Sequence, residues 1–202
     1  VKGLTFAILK TVAMENVVDL PNKAFQNSIE KLKEAGASIS EISVSSVDEA
    51  MDLTGLLYSP EAYATWKHKI EKSPDLMFAK ILERFRSGAN VLASDFISAW
   101  DKLIDLRQQY HSAVEAYDAI LIPTSPIIPP EIGRLISDGD FYNSQNLLAL
   151  RNTRIGNLMG GCSITLPTDT PSCGLLIMGR PNEEARLLRL AQACELILAR
   201  NR

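Results

Sequence analysis

The stretch Gly160-Gly161-Cys162-Ser163 sets a thiol and a hydroxyl directly after two glycines, a pattern that could hold a nucleophile on a tight loop. A reactive thiolate needs a nearby cation or base to lower its pKa. The neighbouring sequence supplies only Arg151 and Arg154, so Cys162 reads as a buried, inert thiol leading into a strand. Thr124 and Ser125 place two more hydroxyls on a loop stiffened by Pro123 and Pro126. Asn157, followed by the two glycines, lets a helix end close to a second strand. Thr124, Ser125, Asn157 and Cys162 are therefore the candidate pocket residues, although Thr124 and Ser125 read equally well as turn residues. None is assigned a catalytic role. A Ser-His-Asp triad needs a serine on a sharp turn, a histidine base and an orienting acid, and no Gly-x-Ser-x-Gly elbow occurs. His68 and His111, the only histidines, both fall in helical stretches and read as surface or boundary residues.

The composition narrows the classes further. The three cysteines show no Cys-x-x-Cys spacing and no His-x-x-x-His pair exists, so neither a disulfide framework nor a metal site is expected. Phosphate-cradling glycine motifs are missing, and no cofactor is expected. A net charge of −3 argues against a nucleic-acid partner, which would require a clustered excess of Lys and Arg. The longest apolar runs fall far short of the roughly 20 residues that span a bilayer, so no membrane association is expected. Unpaired thiols fit a cytoplasmic location. With 202 residues, 46% of them hydrophobic, the chain can bury a sizeable core, and a single domain over residues 1–202 is the economical reading. The opening Val1-Lys2-Gly3 has no initiator Met and no signal-peptide pattern, as expected of the middle of a longer product.

The elements that must hold these groups alternate between strand and helix. Residues 4–9 are a short apolar run, and Phe25, Ile29 and Leu32 then mark one face of a helix that Gly36 ends. Ile42 and Val44 alternate with polar residues, completing a strand–helix–strand unit with parallel strands. Ser46-Val47-Asp48-Glu49 reads as a capping box. Ser59-Pro60-Glu61 and Ser73-Pro74-Asp75 read as two more helix starts, with Pro in the first helical position. Phe96, Trp100, Leu103, Tyr110 and Val114 predict one long helix from Ser94 to about Glu115. A strand at 119–122 breaks at Pro123 into a proline-rich loop, and a helix follows from 144 to 159. Strands at 163–166 and 175–178 and a final helix capped by Asn182 complete the chain. Leu187, Ala191, Cys194 and Leu198 form the apolar stripe of that last helix. The whole is an α/β arrangement.

Taken in order, several segments resemble the amidase-signature family, and the resemblance covers nearly the whole chain. Val1-Lys2-Gly3-Leu4 is similar to the strand that follows that family's catalytic core, and Glu61-Ala62-Tyr63 to its mid-region helix. Asp95-Phe96, Arg107, Tyr117-Asp118, Pro123-Thr124 and Pro126 keep the family's spacing, as do residues 157–167, Gly174-Leu175 and the helix through Glu195. The resemblance implies the C-terminal part of the amidase-signature fold, a mixed β-sheet flanked by helices. It also implies hydrolysis of carboxamide C–N bonds by a Ser–cis-Ser–Lys relay. The glycine- and serine-rich stretch and the lysine that carry this relay have no counterpart among the 202 residues. The implied partners are then the missing N-terminal catalytic half or a second copy of the chain, with a small amide as substrate of the full enzyme.

Two departures bear on subtype. The A subunits of glutamyl-tRNA amidotransferases carry an Arg-Arg-Ile segment followed by Gly-Thr-Tyr where this chain has residues 81–88, Ile-Leu-Glu-Arg-Phe-Arg-Ser-Gly. They also carry a substrate-binding Asp seven residues before the Asn of the 157 block, where this chain has Leu150. Cys162 stands closer to amidases and allophanate hydrolases. The expectation is a general amidase or allophanate-hydrolase-like protein, inactive as this chain alone. The alternative is a stand-alone, non-catalytic module that binds a partner or a ligand. If the first holds, the strands at 4–9 and 163–166 should be the edges at which the rest of the sheet joins.

Overall fold

A computed structural model describes residues 1–199. The strand–helix–strand opening forms as β1 (Thr5–Leu9), α1 (Asp19–Glu34) and β2 (Ser38–Ile42), with β1 and β2 parallel and Phe6 opposite Ile39. Four helices follow: α2 (Ser45–Asp52), α3 (Thr54–Lys72), α4 (Ala79–Ser87) and α5 (Ala93–Ala113). The chain then lays down β3 (Ala119–Pro123), α6 (Ile132–Ser137), α7 (Gly139–Met159), β4 (Ser163–Pro167), β5 (Gly174–Met178) and α8 (Glu184–Leu198). The five strands lie in the order β2-β1-β3-β5-β4. β3 runs parallel to β1, whereas β5 is antiparallel to both β3 and β4, so the sheet is mixed.

Alternation along the strands divides the core into two layers. Ala7, Leu9, Ile120, Ile122, Leu176 and Met178 pack beneath the helices α2, α3, α5 and α7. Phe6, Ile8, Leu121, Leu175 and Ile177 turn the other way, onto Phe25, Ile29 and Leu32 of α1 and the Leu187, Ala191, Cys194 and Leu198 stripe of α8. Each large side chain buried this way contributes about 1.5–3 kcal/mol. Asp118 joins three elements at the start of β3. Its carboxylate accepts from the Thr5 amide at 2.8 Å and from the Arg186 guanidinium at 2.5 Å, and its own amide donates to the Thr5 carbonyl at 2.7 Å.

The structure corrects five local expectations and adds one element. β1 lies inside the sheet, so the edges are β2 and β4; of the two expected joining strands only β4 is exposed to pairing. α2 starts one residue before Ser46, with Val44 in the cap position, and the buried Ser46 hydroxyl finds no hydrogen-bond partner among the described residues. Asp48 instead accepts from the Val12 amide at 2.9 Å and anchors the loop after β1. Ser59-Pro60 starts no helix, because α3 is already under way at Thr54 and runs through the proline. Asn182 sits in the left-handed region at φ 62°, one residue short of the α8 cap at Glu183. The Ser73-Pro74 start produces only a single 3-10 turn, Pro74–Leu76, and α6 is an element the sequence pattern did not reveal.

Candidate functional site

Residues 124–131 leave the C-terminal end of β3 as an irregular loop, and its hydroxyls are used locally. The Thr124 amide donates to the Gly174 carbonyl at 2.9 Å, and its hydroxyl donates to Thr165 Oγ1 at 3.2 Å. Ser125 Oγ accepts from the Ile127 amide at 3.4 Å, which closes a turn. Behind the loop, Asn152 of α7 is fully buried; its side-chain amide donates to the Pro123 carbonyl at 2.7 Å and to the Ala13 carbonyl at 3.0 Å. Arg151 beside it donates to the Glu15 carbonyl at 2.6 Å. The loops that follow β1 and β3 are thus fastened to one turn of one helix.

The C-terminal end of α7 is fastened as firmly. Gly160 takes φ 69°, a left-handed stop that suits glycine. Arg107 of α5 donates to the Leu158 carbonyl at 2.6 Å and the Asn157 carbonyl at 3.3 Å, while His111 Nε2 lies 3.0 Å from the Met159 carbonyl. These contacts satisfy carbonyls that a helix end leaves free, so His111 has a structural task, and His68 is exposed.

Cys162 is half-buried rather than fully buried, because the strand it introduces is an edge. Its Sγ donates to the Arg180 carbonyl at 3.1 Å. Burial pushes the thiol up, the Glu184 carboxylate pushes it further, and the Glu183 amide pulls weakly the other way. Neither Arg151 nor Arg154 acts on it. Cys194 is buried completely and pushed up by burial to about 11. Iodoacetamide at pH 8 is therefore expected to alkylate Cys162 more slowly than a free thiol, and Cys194 only on unfolding. Rapid modification of Cys162 in the folded chain would show that its thiolate is stabilised by something other than these neighbours.

The four candidates do not converge. Asn157 alone borders a cleft of about 400 Å³ between α3, α4 and α7. Its other principal walls are Tyr58, Arg84, Leu147, Leu150 and Arg154, none of them chosen as a pocket residue from the sequence. Leu147, Leu150, Arg154 and Asn157 follow the three-and-four spacing of one helix face. Leu147 and Leu150 remain 48% and 47% exposed, which is the signal the sequence offered: apolar residues on a stripe that the core does not use. Burial raises the Tyr58 phenol, and Arg154 followed by Arg107 pulls it back. Burial lowers the Arg154 pKa, Tyr58 opposes that, and the like charge of Arg84 lowers it again. Among the described residues no cluster of His, Cys, Asp or Glu is arranged to hold a metal ion, and no helix is long and apolar enough to cross a membrane.

The profile of the Amidase family matches residues 1–188. The chain is 28% identical over 185 residues to the 2-amino-5-chloromuconic acid deaminase of Comamonas testosteroni, a match covering 87% of this chain and 39% of that protein. It is 26% identical over 222 residues to the A subunit of the glutamyl-tRNA(Gln) amidotransferase of Desulforamulus reducens, covering 96% of this chain and 45% of that protein. Its fold superposes on the allophanate hydrolase of Kluyveromyces lactis with a TM-score of 0.82 at 19% identity, over 98% of this chain and 33% of that one. The chain spans less than half the length of these relatives.

Proposed function

The chain belongs to the amidase family, and we propose from that premise that it forms the C-terminal, non-nucleophile half of an amidase acting on carboxamide C–N bonds. The observation that carries this reading is a family match over residues 1–188 to relatives of which the chain spans only 39% and 45%. Amide hydrolysis needs an activated nucleophile and donors aimed at the developing oxyanion. The Thr124 hydroxyl donates to Thr165 of β4, the Ser125 hydroxyl closes a turn, and burial with the Glu184 carboxylate favours the Cys162 thiol over its thiolate. On this reading, the Ser–cis-Ser–Lys relay lies outside these residues, and the cleft beside Asn157 is the substrate-side wall. Residues 1–202 act as a single domain within a cytoplasmic enzyme, paired with the N-terminal catalytic part. The amidotransferase role is set aside because Leu150, on the cleft wall, cannot pair with a substrate ammonium.

Activity-based labelling tests this. A serine-directed fluorophosphonate is expected to leave these 202 residues unlabelled. It is expected to label the intact natural protein at a serine outside them, together with ammonia release from a primary amide. Stoichiometric labelling within residues 1–202, or an intact natural mass of only this chain with a bound partner and no hydrolysis, overturns the reading.

A further inference from the structure

The three most exposed large apolar side chains among the described residues are Leu76 at 89%, Ile136 at 81% and Ile132 at 72%, and they stand on segments that touch. Ile132 and Ile136 are four residues apart on α6 and share one face of it. α6 packs on the start of α7, where the Arg134 guanidinium lies 3.8 Å from the centre of the Phe141 ring. Phe78, 57% exposed and two residues after Leu76, meets Tyr142 of α7 edge-on at 5.3 Å. Lys80 reaches over Gly139, so that a methyl group there would lie 2.7 Å from its Nζ. The approach to α4, the helix α6 and the first turn of α7 thus form one surface. Leu76, Phe78, Ile132 and Ile136 belong to neither layer of the core. At about 200 Å² for a fully exposed side chain of this size, the four leave roughly 600 Å² of apolar area in water, the top of what a monomer carries in one patch.

We propose that a second copy of the chain docks on this surface, patch to patch about a two-fold axis. Such a contact brings a surface against itself, so its charges must be mixed in sign. Lys80 and Arg134 stand here beside Glu131, Asp138 and Asp140. Arg134 is tied to Asp138 at 3.9 Å, whereas Lys80, Glu131 and Asp140 take part in no ion pair among the described residues. Each copy therefore brings a free cation and two free anions to the rim of an apolar centre. A strongly acidic or basic partner would call for a rim of one sign. The area fits as well: a stable interface takes about 800 Å² from each partner, which the apolar centre and its charged rim supply together. The catalytic part of the proposed amidase has to meet the chain toward the Asn157 end of α7. The patch gathers at the Gly139 end, and the two residues are about 27 Å apart along the helix, so a docked copy leaves the Asn157 end open. The surface itself, not the amidase reading, carries the proposal.

The experiment is gel filtration with light scattering, on the intact natural protein and on the 202-residue chain, over about 1–100 μM, where interfaces of this size assemble. Both are expected to run as dimers. Ile136→Glu and Leu76→Glu each place a charge where the side chain already stands in water, so the fold is spared. Each is expected to weaken the dimer about thirtyfold or more, as loss of a central contact does. Leu188→Glu on α8, 59% exposed, is the control expected to leave the mass unchanged. Monomers throughout, a dimer indifferent to Ile136→Glu and Leu76→Glu, or one that Leu188→Glu disrupts equally, overturns the proposal. A dimer formed by only one of the two proteins places the contact elsewhere or gives the patch to the rest of the natural protein, and overturns it as well. Fluorophosphonate labelling reads the amidase proposal separately, so either can fail without the other.

Discussion

Gly88→Ala is expected to lower the melting temperature by about 6–12 °C, through a loss of about 3 kcal/mol, at the upper end of what overpacking costs. A methyl group at Gly88 would sit 2.1 Å from the Ser59 carbonyl oxygen, 2.3 Å from its carbon and 2.6 Å from the Pro60 nitrogen. All three are backbone atoms of α3, so no rotamer can relieve the clash. The turn at Gly88–Asn90 must lift off α3, and α4 with it. Gly133→Ala supplies the control, since its methyl would meet only the Glu131 carboxylate, at 3.8 Å. That variant is expected to stay within about 1 kcal/mol of the parent, with helix propensity in its favour. Thermal unfolding of the two side by side is the check; equal melting temperatures would mean that α3 and the Gly88 turn do not meet as described.

Asn152→Ala carries the second large effect, a loss of about 2–4 kcal/mol. The side chain is inaccessible to water and donates to the carbonyls of Pro123 and Ala13. Removing it leaves Pro123 O buried without that donor and leaves Ala13 O with only the longer 3.4 Å contact from Arg151. Asn152→Asp keeps the shape but turns a donor toward two acceptors into a third acceptor. One oxygen keeps the Arg151 Nε–H at 3.2 Å, but the other faces two carbonyls in a site closed to water; those acceptors and burial favour the neutral, donating carboxyl, so its folded pKa lies above the unfolded value of about 3.9. Such a group contributes most below the unfolded pKa and loses that contribution as pH rises through the folded one. Asn152→Asp is thus expected to be nearer to the parent at about pH 4 than at pH 7, and urea unfolding at both pH values measures it. A pH-independent difference would mean that Arg151 balances the ionised carboxylate.

Much of the fold was legible because its signals are local. Phe25, Ile29 and Leu32, or Leu187, Ala191, Cys194 and Leu198, repeat at helical spacing, and each set is buried as the spacing requires. Where the reading failed, two local cues competed and tertiary contact chose between them. Ser46 looks like a cap, yet Val47 and Ala50 have to enter the core, and meeting that demand draws the helix start back to Ser45. Pro60 looks like a start, yet a helix already formed from Thr54 can carry a proline where the neighbouring turn packs a glycine against it. The position of β1 was illegible for a different reason. Strand order depends on which distant segment pairs with which, and no residue of 5–9 records that β3 will lie beside it.

For the candidate site, the sequence indicated residues by type and the structure gathered residues by place. Thr124, Ser125 and Cys162 have reactive side chains, and each is consumed by a neighbour close in the fold. Arg84 and Arg154 are 70 positions apart, and only the packing of α4 near α7 makes them one feature. Leu147 and Leu150 stand at helical spacing in the sequence, but that they stay exposed is not written there until the opposite face is known to be occupied.

The strand order also sets a timetable. β1 meets β2 across a separation of about 33 positions but meets β3 across about 113, as the Lys10–Ser43 and Thr5–Asp118 bonds record. Closing the longer loop costs about 1 kcal/mol more in chain entropy, and it must close before β1 gains the second partner that repays it. A ribosome therefore delivers β1, α1 and β2 well before β3, and the edge of β1 that β3 will pair waits open while four helices are made. An edge that ends inside the finished sheet thus stays unpaired during that interval, and it is there that a nascent chain of this design depends on delay being short.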